Sequence, residues 1–275
     1  MKKDSENNRM VNGQVATLEK QLRILQEKVA QQHQQILAEK QKCEDLLHNM
    51  LPDEIYRELL KNGKVAPQSY SNVTVMFTDF MDFTSMCEHI ELKELIQELD
   101  MHFSRFDEIC EKHYLEKIKT IGDAYMCVGG MPMRNRSHPF DAILAAMDIL
   151  QYIKDVNEVK KRSGECLWNL RIGIHTGPVI AGVVGKNKFL YDIWGDTVNV
   201  ANRLEESGDA GKINISGSTF EYVKEYIECM YRGKIPVKHK GDIDMYFVEH
   251  FLPQYSDEFD NKKPNKNFKL AIGKL

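Results

Sequence analysis

Long apolar runs are missing from this 275-residue sequence: no stretch approaches the ~18–20 consecutive apolar residues that a membrane-spanning helix needs. The first ten residues, MKKDSENNRM, are polar and are not expected to form a signal peptide. Paired cysteines are missing too. Cys43, Cys87, Cys110, Cys127, Cys166 and Cys229 are scattered with no C-x-x-C pair, so neither a disulfide framework nor a zinc site is expected. They read as reduced thiols of a cytoplasmic protein, or of the cytoplasmic part of a membrane-bound sensor. Nor is there a surplus of positive charge. Lys and Arg number 37 against 41 Asp and Glu, for a net charge of −4 and a pI near 6.2, and no nucleic-acid partner is expected. No internal repeat is visible. With 42% hydrophobic residues, the chain can bury one substantial core and carry an appendage.

Residues 9–51 lack proline and contain one glycine, Gly13. Val15, Leu22, Val29, Ile36, Cys43 and Met50 recur seven apart, with Leu18, Leu25, Gln32, Glu39 and Leu46 at the second heptad position. β-branched residues at a and leucine at d favour a parallel two-stranded coiled coil. Residues 1–51 are therefore expected to be a signalling helix that pairs two chains, with Gln32 and Glu39 weakening the middle of the seam. A rod of this kind implies an upstream sensor. Pro52 ends it, and residues 52–70 read as a linker with a short docking helix.

From there to residue 252 strands and helices alternate, which predicts an α/β sandwich with a mixed, mostly antiparallel sheet flanked by helices. NVTVMFTDF (72–80) is a buried strand ending in an acid. Residues 92–113 have helical periodicity, with Leu92, Leu95, Ile96, Leu99, Phe103 and Phe106 on one side. KTIGDAYMCVGG (119–130) is a hairpin turning at Gly122-Asp123, and a helix is expected from about 139 to 160. LWNLRIGIHTGPVIAGVVG (167–185) reads as two strands about Thr176-Gly177-Pro178. The charged segment after Pro253 is expected to be loosely held.

Asp79 and Asp123 each end or interrupt a hydrophobic strand, so both are expected at one rim of the sheet. Two carboxylates with few other protein ligands suit Mg²⁺, which completes its shell with waters and phosphates. Asp192 precedes a Trp-Gly turn, and Asn199 and Arg203 lie four apart on one face of the next helix. That face suits a ribose and a phosphorus centre, or it is simply solvated.

FTDF, EKIKTIGDAYM, RIGIHTGPVIAGVVG and YDIWGDTVNVANRLE, in that order, resemble the catalytic domain of the class III nucleotide cyclases across about residues 70–250. HNMLPDEI resembles the linker that joins sensor modules to such domains. The resemblance implies that the 3′-hydroxyl of a nucleoside triphosphate attacks its own α-phosphorus and releases pyrophosphate. It implies that Asp79, Asp123 and the backbone carbonyl of Phe80 hold two divalent ions, Mg²⁺ or Mn²⁺. Arg203 matches the arginine that stabilises charge on the phosphorane, and Asn199 the residue that orients the ribose. Arg171 and Lys240 match residues that bind the β- and γ-phosphates, although His239 replaces the commoner glycine beside Lys240.

Lys119 and Asp192 match the residues that read the base. A lysine suits the adenine N1 acceptor and a carboxylate suits the N6 donor, whereas guanine reverses both. Guanylyl members carry Glu and Cys at these places, so the sequence predicts an adenylyl cyclase using ATP. The alternatives are a guanylyl cyclase or a non-catalytic dimerisation module. The turn IGDAY lacks the Gly-Gly-acid-acid-Phe of diguanylate cyclases. The family geometry also implies a homodimer, with metal acids from one subunit and the base pocket, Asn199 and Arg203 from the other.

Overall fold

The computed structural model describes residues 2–48, 50–86, 91–185, 190–237 and 241–273, and the chain divides into two compact units at Lys64/Val65. The first unit holds α1 (Lys2–His48) and α2 (Asp53–Asn62). Leu18, Leu22, Leu25, Val29, Ile36, Leu46 and Met50, all from the heptad pattern, are exposed. The α2 helix stops at Gly63, which takes φ 67° and donates its N–H to the Leu59 carbonyl.

The second unit contains, in order, β1 (Gln68–Met81), α3 (Phe83–Met86), α4 (Leu92–Lys112), β2 (Leu115–Ile121), β3 (Ala124–Gly129), α5 (His138–Ser163), β4 (Asn169–Val184), β5 (Leu190–Trp194), α6 (Asp196–Glu206), β6 (Ile213–Ser216), α7 (Gly217–Val223), β7 (Ile227–Val237), β8 (Gly241–Phe251) and α8 (Lys266–Ala271). The strands form one sheet in the order β2-β3-β1-β4-β6-β8-β7, with β5 on β4. Among the described residues only the β4–β6 pairing is parallel, so the mixed, mostly antiparallel sheet matches the expectation.

Period-two alternation sends successive side chains to opposite faces. Met76 and Phe80 of β1, with Ile172 and Ile174 of β4, join α4, α5, α7 and α8 in the main core. The intervening residues, among them Asp79, Arg171 and Gly173, face the side that α6 covers. There Val200 and Leu204 pack on Ile235, Val237 and Met245 in a second core.

Three details depart from the sequence reading. Thr176-Gly177-Pro178 does not separate two strands, because β4 runs through it. Pro178 has no N–H to give the ladder, and the β1–β4 register slips by one residue opposite it, between Tyr70 and Val73. On α4, Leu92 and Ile96 are 64% and 52% exposed, so the buried stripe is narrower than the apolar one. The segment after Pro253 is tied down rather than loose. Phe268 is fully buried, its ring 4.8 Å from that of Phe251 and 5.7 Å from that of Phe140, and the Asn265 side chain caps the helix carrying it.

The tightest contact is that of α6 on β4. A methyl group at Gly173 would overlap the Glu205 amide nitrogen and lie 2.6 Å from the Ala201 carbonyl oxygen. Both are helix backbone and cannot rotate away. Gly173→Ala is expected to cost at least the ~1–3 kcal/mol typical of overpacking, read by urea denaturation, because it displaces α6.

Candidate active site

The cross-strand register places Arg171 of β4 directly opposite Asp79 of β1, and the Arg171 Nη2 donates to Asp79 Oδ2 at 2.8 Å. Arg171 Nε donates to Glu205 Oε1, and Nη1 to the Glu206 carbonyl at 3.3 Å. Burial alone would lower the Arg171 pKa, but the Glu205 and Asp79 carboxylates outweigh it and hold the guanidinium above its usual value.

Asp123 occupies the β2–β3 turn, where Gly122 takes φ 64°, a left-handed conformation natural to glycine. Burial and the nearby Asp79 charge raise the Asp123 carboxyl pKa. Asp79, Phe80, Asp82, Ser85, Asp123 and Arg171 line an open cleft of about 690 Å³. The sequence reading is thus met in one respect: the structure gathers Asp79 and Asp123, with Phe80 beside them.

The donor set fits a hard divalent cation. Among the described residues Arg171 pairs with both Asp79 and Glu205, and burial, with the Asp79 charge second, raises the Asp123 pKa. Among the described residues no group of three or more His, Cys, Asp or Glu is arranged to enclose a metal. A cation held here would take its other ligands from water and phosphate oxygens, as Mg²⁺ does.

Lys119 and Asp192 form the second feature. They are 73 residues apart, yet Lys119 Nζ donates to Asp192 Oδ2 at 2.6 Å. The Asp192 side chain is only 8% exposed, and its Oδ1 accepts the Ile193 backbone N–H at 2.9 Å. One carboxylate oxygen is thereby fixed by backbone and the other by the lysine. The residues four apart in KTIGD have separated: Lys119 pairs with β5, Asp123 with Asp79.

Asn199 and Arg203 are exposed on one face of α6. Arg203 Nη1 donates to Glu206 Oε2 at 2.6 Å, and Asn199 has no hydrogen-bond partner among the described residues. Lys240 lies outside the described residues.

Glu205 was not singled out in the sequence. The available signal was an acid four residues after Ala201 and next to Leu204, in the buried stripe of α6. Burial, reinforced by the Asp79 charge and opposed by Arg171, raises its pKa to about 7. A carboxyl with a folded pKa above its unfolded 4.5 contributes stability that is complete below pH 4.5 and is lost as pH rises towards 7. Wild type should therefore lose up to about 3 kcal/mol of unfolding free energy over that window relative to Glu205→Gln. Urea melts at pH 5 and pH 7.5 measure this, and parallel slopes for the two proteins would contradict it.

Comparison with known proteins follows the same geometry. The profile of the adenylate and guanylate cyclase catalytic domain matches residues 65–250. The soluble guanylate cyclase subunit beta-2 of Rattus norvegicus is 38% identical over 221 residues. That alignment covers 80% of this chain and 32% of the rat protein, so the chain spans about a third of its relative's length. The guanylate cyclase domain of RhGC from Catenaria anguillulae, solved in complex with GTP, is 34% identical with a TM-score of 0.62, covering 66% of this chain and 98% of that one. The adenylyl cyclase CyaB from P. aeruginosa is 28% identical with a TM-score of 0.63, covering 67% and 96%. By its sheet, its rim acids and this match over two thirds of its length, the chain belongs to the adenylate and guanylate cyclase catalytic domain family, the class III nucleotide cyclases.

Proposed function

We propose that the protein is an adenylyl cyclase, converting ATP to 3′,5′-cyclic AMP and pyrophosphate as the cytoplasmic output domain of a larger sensor. The observation that carries this reading is the Lys119–Asp192 pair. An adenine entering between them would accept at N1 from the lysine and donate from N6 to the carboxylate. Guanine would set donor against donor and acceptor against acceptor. Buried mismatches of that kind cost several kcal/mol, on the order of 10³-fold in discrimination.

A guanylyl cyclase is the second reading, and the relatives favour it: the rat subunit and the fungal GTP complex are both guanylate cyclases. Similarity averaged over some two hundred residues weighs little on a choice made by two side chains. The TM-scores of 0.62 and 0.63 to a guanylyl and an adenylyl enzyme do not separate the two. A non-catalytic module is disfavoured because Asp79, Asp123, Asn199 and Arg203 are all present.

In the proposed reaction Arg203 meets the charge developing on the α-phosphoryl group and Asn199 orients the ribose. Arg171, already beside the rim acids, binds the outer phosphates together with Lys240. Asp79, Asp123 and the Phe80 carbonyl would hold two divalent ions, Mg²⁺ or Mn²⁺, which would supply acidification of the 3′-hydroxyl and neutralisation of the leaving phosphates. Positioning and electrostatics do most of the work.

We also read the site as shared between two chains. The α6 face that holds Arg171 carries Glu205, while Asn199 and Arg203 leave the helix about 240° and 200° away from it, at about 100° per residue. Those two side chains point outward and would complete the partner's site, and the exposed apolar stripe of α1 would hold two copies in parallel. No helix among the described residues is long and apolar enough to cross a membrane.

Purified protein offered ATP or GTP with Mn²⁺ is expected to yield cyclic AMP as its main product by mass spectrometry. Asp79→Ala and Asp123→Ala should each reduce turnover at least 100-fold with unchanged circular dichroism. Lys119→Glu with Asp192→Cys should shift kcat/KM towards GTP. A wild-type protein that makes mainly cyclic GMP would install the guanylyl reading instead.

Sharing is tested by complementation. Asp79→Ala and Asn199→Ala chains should each be nearly inactive alone. Mixed equally and allowed to exchange, half the dimers are mixed, and each has one intact site of two. Activity should return to about a quarter of wild type. Absence of recovery despite demonstrated exchange would mean that each chain builds its own site.

A further inference from the structure

A second cleft, of about 390 Å³, lies at the opposite end of β1 from Asp79, about 20–25 Å away at the usual strand rise. Arg134, Arg136, Asn72, Asn135, His138 and Tyr222 line it, and no Asp or Glu does. The geometry points to this cleft as a binding site for a small hydroxylated phosphate monoester, separate from the cyclase centre.

The cationic groups are uncommitted to acids. Arg134 donates to the Ser69 carbonyl at a long 3.3 Å, and its guanidinium lies 5.4 Å from the centre of the Tyr70 ring. Neither Arg134 nor Arg136 has a carboxylate partner among the described residues. Two arginines on one short loop, in a cleft without acids, match the planar forked donors that recognise phosphate.

Beneath them sits His138, only 2% exposed. Its Nδ1 is taken by Thr74 Oγ1 at 2.7 Å. Its Nε2 has no partner among the described residues, and the residue lines the cleft. Gly130 keeps that wall open, since a Cβ there would lie 2.9 Å from His138 Cδ2. Burial holds the imidazole neutral, with a pKa lowered to about 4, so one ring nitrogen remains available to a ligand oxygen or hydroxyl.

A further buried valence comes from Asn135. Its Nδ2 donates to Asp141 at 3.4 Å, but its buried Oδ1 accepts from none of the described residues. Buried polar atoms are seldom left unmet, and an acceptor calls for a donor. Inorganic phosphate must use one of its own oxygens, as P–OH, to answer Asn135, whereas a monoester with a free hydroxyl answers Asn135 and keeps its phosphate oxygens for the arginines. The cavity is within the range of small-molecule sites.

The site also leads into the interior. From Thr74, hydrogen bonds run to Thr176 at 2.8 Å, on to Thr219 at 3.1 Å, to Ser216 at 3.2 Å and to His175 Nδ1 at 2.7 Å, all among buried groups. Thr74 and Thr176 belong to β1 and β4, the strands that carry Asp79 and Arg171. The Thr219 hydroxyl also reaches the Ile174 carbonyl at 3.5 Å, so the chain ties the His138 wall of the cleft to the β4 backbone.

The test is calorimetric titration of the full chain, without divalent metal, using β-glycerophosphate and inorganic phosphate as probes. β-Glycerophosphate should bind wild type and Arg203→Ala alike, and bind Arg134→Ala/Arg136→Ala at least tenfold more weakly. Inorganic phosphate should bind wild type more weakly than the monoester, and Asn135→Ala should erase that difference. Both arginines are exposed, so circular dichroism and basal cyclase rate should be unchanged in the double variant. No binding to wild type, equal binding to the double variant, or loss in Arg203→Ala instead would overturn the assignment. Equal affinity of wild type for the two probes would remove the hydroxyl requirement.

Discussion

The approach of α6 to β4 at Gly173 is the constraint on which the catalytic unit depends. No side chain intervenes, so the Glu205 and Ala201 backbone rests directly on the strand. Contact at that depth fixes the height of α6 and brings the Glu205 carboxylate to Arg171, which in turn holds Asp79. A side chain between the two elements would separate Glu205 from its partner by roughly the thickness of a methyl group. The arginine would then pair with the rim acids alone. Close-packed interiors transmit such displacements instead of absorbing them.

Much of this arrangement was legible in the sequence where a residue's role follows from local pattern. The buried strand carrying Asp79, the Gly122-Asp123 turn and the helix expected from about 139 to 160 are all local signals, and the fold bears them out. Lys119 and Asp192, named together from the family resemblance, meet in a 2.6 Å ion pair. What escaped was set by partners distant in sequence. Glu205 gains its meaning from Arg171, 34 residues earlier. Pro178 would end a strand on propensity, but a one-residue slip in β1 accommodates it. Phe268 sits in a charged segment with too few apolar neighbours to suggest burial, and aromatic rings from α5, β8 and the α7–β7 connection enclose it. Leu92 and Ile96 obey the helical period yet face solvent, because periodicity gives a stripe its direction but not its width.

Base choice illustrates how family likeness and site chemistry can part. Fold and overall identity follow from the many residues that fill the two cores, and guanylyl and adenylyl enzymes need the same cores. Selection between adenine and guanine rests on the edge of one ring, where the two bases exchange donors for acceptors. On the reading proposed above, Asp192 would enforce it. Its carboxylate, nearly buried and anchored through Ile193, has acceptors alone and is held in one orientation. The lysine opposite is equally one-sided, having donors alone. A pocket of such fixed polarity rejects the wrong base through unpaired buried groups, the more effective form of discrimination.

The charge distribution bears on why two chains would be needed. One rim concentrates Asp79, Asp123 and Glu205 around a single guanidinium, and burial has already raised the carboxyl pKa values of Asp123 and Glu205. Adding nucleotide phosphates to that rim within one chain would deepen the imbalance, since Arg203 faces away and pairs only with Glu206 at the surface. A surface ion pair of this kind is worth little and is readily exchanged for a phosphate. Arg203 is thus held where it costs little to release, on the helix face turned from Asp79 and Glu205. On the reading proposed above, an arginine so placed would meet a phosphoryl group presented by another subunit.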